Sequence, residues 1–243
     1  MPKQRGTNPI TGTIDGFTYY YNKQHGYLMR RKAGPSSKQV KKSPAFDMTR
    51  RNNDEFGRAS HYGKVIRSGF HSLIRHCKDG TMYHRLSTRL REIMNQDTES
   101  VFGGRDLRRD TLAAFRHFEW DQQSLSKKYF ELPVETEVYD ERMEVNVVVQ
   151  LNKKPKGAAA WMLYSTAVHV DFRTEKVKMD PQESDLYEYE KGAFIEGFTH
   201  YFPKQSLVFH GMCLVWYGYD ATTADYYPLK EERVNVGFVR FVR

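Results

Sequence analysis

Along this chain the spacing of apolar residues changes period once, and that change limits the folds open to it. From about Asn53, apolar or small residues recur at Phe56, Ala59, Tyr62, Ile66, Phe70, Leu73 and Cys77. Steps of three and four place them on one helix face. Arg58, Lys64, Arg67 and Arg75 fall on the other; Asp54 and Glu55 suit the first turn, and Lys78-Asp79-Gly80 the end. A second helix is expected over Met82 to Met94, burying Met82, Leu86, Leu90 and Ile93. Beyond Val101-Phe102-Gly103-Gly104, a shorter third piece carries Leu107, Leu112, Phe115 and Phe118.

From about Lys128 the period becomes two. Val145, Val147 and Val149 alternate with Glu144, Asn146 and Val148, and the run from Ala158 to Phe172 places Ala158, Ala160, Met162, Tyr164, Thr166, Val168, Val170 and Phe172 on one face. Further strands are expected at Phe130–Tyr139, Thr174–Met179, Ala193–Phe202, Ser206–Tyr217 and Arg233–Val242. No helix lies between them, so they read as an antiparallel β-sandwich of about seven strands. Near the start, Phe17-Thr18-Tyr19-Tyr20-Tyr21 and Tyr27-Leu28-Met29-Arg30-Arg31-Lys32 flank a short turn ending in Gly26, the pattern of a β-hairpin. Residues 1–16 read as an irregular lead-in and 33–44 as a basic linker. The fold class is therefore α+β: a hairpin arm with its lead-in and linker (1–44), a helical segment of two to three helices (45–126) and a β-sandwich (127–243).

Charge divides along the same lines. The net charge is +8, and residues 1–50 hold ten basic and two acidic residues. Residues 51–126 hold 13 basic and 10 acidic, and residues 127–243 hold 15 and 18. A basic arm on an acidic, strand-rich body suits either a polyanion or the acidic surface of a neighbouring copy. No apolar run approaches the length of a membrane span, and the N-terminal residues contain no signal-like apolar stretch. Cys77 and Cys213 lie in segments of different character, so both are expected as free thiols in a reducing cytoplasm.

The segments Gly12-Thr13-Ile14-Asp15-Gly16-Phe17, Arg31-Lys32-Ala33-Gly34, Pro44-Ala45-Phe46, Thr49-Arg50, Asn53 and Glu55-Phe56-Gly57 resemble a family of uncharacterised bacterial proteins. A fainter likeness covers Leu207 to Tyr217 and Val234 to Val242. The resemblance implies a bacterial, non-secreted origin and carries no activity, cofactor or catalytic residue.

Enzymatic signatures are missing. No Gly-x-Ser-x-Gly, phosphate-cradling loop or dinucleotide fingerprint occurs, and Cys77 sits in the helical stripe. Among nine histidines, His169 and Asp171 share a strand face, while His200 and His210 lie on neighbouring strands. Whether those four converge depends on the fold, and the plainer expectation is hydrogen-bonded or solvated histidines with no metal. The chain is therefore expected to be non-enzymatic, without cofactor or small-molecule substrate and without a membrane partner. Its arm would present Phe17, Tyr19, Tyr20, Tyr21, Tyr27 and Met29 to a neighbouring subunit, building a homo-oligomeric ring or filament. Arg30, Arg31, Lys32, Lys41, Lys42, Arg50 and Arg51 would meet an acidic partner. The alternative is nucleic-acid binding through the same arm, its rings stacking on bases and its cations on phosphates.

Overall fold

The computed structural model describes all residues except 1, 2, 5–7, 33, 78, 123–127, 205–206, 230–235 and 243. Its elements in chain order are β1 (Gly12–Ile14), β2 (Phe17–Asn22), β3 (Gly26–Arg31), α1 (Ser37–Lys42), α2 (Asp47–Gly69), α3 (His71–Ile74) and α4 (Met82–Met94). There follow β4 (Phe130–Glu131), β5 (Val134–Val138), β6 (Arg142–Leu151), β7 (Ala160–Asp171), β8 (Lys176–Glu183) and β9 (Tyr187–Glu188). β10 (Gly192–Tyr201), β11 (Leu207–Asp220), β12 (Asp225–Pro228) and β13 (Val236–Val242) complete the chain. The molecule is mixed helix and antiparallel sheet, including a curled half-barrel, and it divides into two compact units, Met1–Arg50 and Arg51–Arg243.

In the first unit β1, β2 and β3 form a three-stranded antiparallel sheet in that order. The lead-in is thus not irregular throughout. Asp15 and Gly16 adopt φ of 46° and 77°, the two left-handed residues that a tight two-residue hairpin turn requires. Gln4 secures the other edge, its amide donating to the carbonyls of Ile10 and Leu28, both at 3.1 Å. The expected linker contains α1, whose N-terminus is a capping box: Ser36 Oγ accepts from Gln39 N–H, and the Gln39 side chain accepts from Ser36 N–H.

The second unit holds two sheets. One has the order β12-β11-β7-β8, with β13 also paired to β11 and β9 to β7; the other runs β10-β6-β4, with β5 also on β6. Two core clusters flank the six-stranded sheet. On one side Ala59, Ile66, Phe70 and Leu73 join Leu86, Leu90, Phe115 and Trp120 against Val168, Phe209 and Val215. On the other, Val145, Val147 and Val149 of β6 meet Trp161 and Leu163 of β7 and Met212, Leu214 and Trp216 of β11. Covered on both faces, β7 and β11 are buried along most of their length, whereas β6 buries alternate residues only.

Helix and sheet approach closely where glycine permits it. A Cβ on Gly69 would lie 2.2 Å from Val168 Cγ1, and one on Gly211 would lie 2.7 Å from the Phe70 ring. The stripe of α2 departs from expectation at its start. The helix begins at Asp47, Phe56 is half exposed, and Glu55 is the buried neighbour. Arg105 explains this, donating from Nε and Nη2 to the two Glu55 carboxylate oxygens at 2.8 and 2.7 Å, while Gly103 N–H donates at 2.8 Å. Arg58 donates in turn to the carbonyls of Gly103 and Arg105, so α2 clasps the loop after Val101. The expected third helix reduces to a 3-10 turn at Leu112–Phe115.

Candidate functional site

Pairing register decides which N-terminal residues share a face. Phe17 opposes Arg31, Tyr19 opposes Met29 and Tyr21 opposes Tyr27, while Ile14 of β1 opposes Phe17. Alternation therefore gathers Ile14, Phe17, Tyr19, Tyr21, Tyr27 and Met29 on one face, with Arg31 at its end. Tyr21 and Tyr27 meet edge to face at 5.0 Å between centroids. Tyr21 is 57% exposed, Ile14 49% and Tyr27 38%. Tyr20 belongs to the opposite face, paired with buried Leu28, and the Arg30 guanidinium lies 5.5 Å from its ring centroid.

The cations beside this face divide into exposed and engaged groups. Arg30, Arg31, Lys32, Lys41 and Lys42 are exposed. Arg50 instead donates to the carbonyls of Val40 and Ser43 and to Asp47. Arg51, in the other unit, donates to the Phe102 carbonyl.

In the second unit, the outer face of the four-stranded sheet combines acid with exposed apolar side chains. Glu137 of β5 lies directly opposite Glu144 of β6, and Glu135 lies one alternation away. Arg142 offsets part of this charge, 3.1 Å from Glu144, and the Tyr139 hydroxyl donates to Glu137 at 2.9 Å. Ile195 of β10 opposes Val148 of β6 and is 79% exposed. Sequence reading recognised the strands but not this face, because its residues come together only through cross-strand register.

Between the sheets, histidines do converge, though not as a metal site. Ser165 Oγ lies 2.8 Å from His200 Nε2 and 2.9 Å from His210 Nε2, and His200 Nδ1 lies 3.1 Å from Asp180 Oδ2. In the neutral cluster the bonds fix one direction. His200 Nδ1–H donates to the Asp180 carboxylate, Ser165 O–H donates to the bare His200 Nε2, and His210 Nε2–H donates to Ser165 Oγ. Ser165, His200 and His210 have no exposed surface. Burial holds the His200 pKa below its ordinary value, opposed by the hydrogen bond to Asp180.

The order Asp180–His200–Ser165 is that of a hydrolytic triad, but a nucleophile must reach its substrate. Here the serine oxygen is sealed in and carries a second imidazole on its other side. A cavity of about 460 Å³ lies nearby, lined by Asp180, His169, Lys178 and Tyr201 but by neither Ser165 nor His200. The cluster instead bolts β10 of one sheet to β7, β8 and β11 of the other. His169 lines the cavity, and Asp171 caps its own turn by accepting from Arg173 N–H and the Thr174 hydroxyl. Neither joins the cluster, and no set of three His, Cys, Asp or Glu among the described residues is arranged to hold a metal ion.

Cys77 and Cys213 are free and buried in the same core. Burial and the neighbouring Cys213 push the Cys77 thiol well above its ordinary pKa, unlike an activated nucleophile. No helix among the described residues is long and apolar enough to cross a membrane. No protein-family model matches the chain, and no curated protein matches it.

Proposed function

We propose that this chain is a non-enzymatic, self-assembling structural protein that works in the cytoplasm without cofactor or small-molecule substrate. Its N-terminal sheet acts as an arm that docks on a neighbouring subunit to build a ring or filament, and the two sheets of the second unit form the sandwich body. The observation that carries this reading is the apolar face of the N-terminal sheet, on which Ile14, Tyr21 and Tyr27 stay exposed within a unit of ten basic and two acidic residues. A small three-stranded sheet gains most of its stability from covering such a face. The sealed Ser165 cluster and the high pKa of Cys77 argue against hydrolytic chemistry at either place.

The test replaces both exposed tips, Tyr21→Ser with Tyr27→Ser, in the full chain. Light scattering is expected to show a multimer for the parent and a monomer for the variant. Equal subunit counts would contradict the reading. Nucleic-acid binding is kept as the second reading because the exposed Arg30 lies over the Tyr20 ring, a cation beside a stacking surface. Absorbance at 260 and 280 nm on the same samples distinguishes it, since that reading expects co-purified nucleic acid released by salt.

A further inference from the structure

The assembly reading leaves open where the arm lands. We propose that it lands on the outer face of the four-stranded sheet of a second copy, over the acidic row of β5 and β6 and the apolar rim of β10. This inference rests on the assembly reading and names its missing surface.

Three observations meet on that face. The first is charge left over within the sheet. Glu137 and Glu144 are directly opposed, which is unfavourable for like charges. Arg142 reaches Glu144, and Glu135 has no ion pair among the described residues. A cation supplied from outside relieves this arrangement, and the arm supplies one: Arg31 stands on its aromatic face, and the exposed Lys32 follows it in the chain.

The second is exposed apolar area beside the acids. Ile195 is 79% and Tyr201 69% exposed on β10, next to Val148 of β6. Those side chains suit the ring face of Tyr19, Tyr21 and Tyr27, so one surface offers both halves of what the arm carries.

The third is an open strand edge. β10 pairs with β6 alone. Away from β6, the Thr199 carbonyl accepts from Gln182 Nε2 at 2.6 Å, and Tyr201 N–H donates to Asp180 Oδ2 at 3.1 Å. Backbone alternation points the polar groups of Ala193, Ile195 and Gly197 the same way. These have no partner among the described residues. β1 is likewise the outer strand of the arm sheet, paired with β2 alone. Neither edge is strand-paired among the described residues, so the rim around Ile195 and the border of the arm sheet are left uncovered by strands of their own chain. Because arm and acceptor are different patches of one chain, the contact is head to tail and propagates.

The test swaps the charges. One full-chain variant carries Glu135→Lys with Glu137→Lys, the other Arg31→Glu with Lys32→Glu; circular dichroism checks that each is folded. Each alone is expected to self-associate at least about tenfold more weakly than the parent by sedimentation velocity. An equimolar mixture is expected to regain association, because each basic patch again meets an acidic one. A third variant, Ile195→Lys, is expected to weaken association by a similar factor. If the parent assembles and Tyr21→Ser with Tyr27→Ser abolishes assembly, while the Glu135/Glu137 and Ile195 variants match the parent, the arm lands elsewhere and this inference falls alone. A mixture that fails to regain association also overturns it. A parent that is monomeric at every concentration overturns the assembly reading itself.

Discussion

Two buried polar residues, Glu55 and His200, show how this chain tolerates charge inside. Glu55 is 1% exposed and held by three donors from the Gly103–Arg105 segment. Its pKa is lowered by the Arg105 hydrogen bonds, against the opposing effect of burial. Glu55→Ala strands the Arg105 guanidinium and frees the loop. It is expected to cost about 3 to 5 kcal/mol, read as a fall in the urea midpoint. His200 has the opposite sign. Its folded pKa lies below the ordinary value of 6.5, so the unfolded chain binds more protons as pH falls. Burial also pushes His76 down, to about 4. The histidine contribution is therefore complete above about pH 6.5 and declines below it. Protonated His200 would turn its Nε2 into a donor toward a serine oxygen that already accepts from His210, so the cluster must rearrange. Asp79 begins to lose its contribution only below about pH 4. There burial pushes the pKa up, but hydrogen bonds from Thr81, Gln122 and Arg85 outweigh it and hold it at about 2. The thermal midpoint is expected to fall in two stages on acidification, and His200→Gln to flatten the first. A flat midpoint between pH 7 and 5 in the parent would contradict the sign.

At the scale of elements, the close contacts between helix and sheet are made by absence of side chain. Gly69→Val would drive a branched side chain into Val168, which is fully buried and has nowhere to move. A cost of about 1 to 3 kcal/mol or more is expected in thermal unfolding, whereas Gly57→Ala meets nothing within 4 Å and serves as the control. The same scale shows what was legible beforehand. The helical stripe located α4 residue by residue and alternation located β6, because each buries one face, whereas β7 and β11, buried on both faces, stood out as runs of strand length. Glu55 was misplaced because its partner lies fifty residues away, so only the fold shows why a carboxylate is inside. β1 was missed because three residues carry no period; its trace was the Asp15-Gly16 pair, a dipeptide suited to a two-residue hairpin turn. The aromatic face of the arm could be read from the sequence except at Tyr20, which groups there with the other rings and which the register places on the opposite face with Leu28. The acidic face of β5 and β6 could not, since Glu135, Glu144 and Ile195 share a surface only through strand register.

For the whole molecule, net charge is a poor summary. The first unit is basic and the four-stranded sheet of the second carries an acidic face, with exposed apolar groups beside the charges on both, and the proposed assembly pairs the two between copies. Both readings of the arm use the same cations, but they differ in where those cations end up. The most direct measurement is light scattering with negative-stain microscopy on the full chain and on Tyr21→Ser with Tyr27→Ser, at low and moderate salt, with absorbance recorded at 260 and 280 nm. The expected result is rings or filaments free of nucleic acid for the parent and monomers for the variant. A parent that is monomeric throughout, or that carries salt-releasable nucleic acid and no assembly, would contradict the account.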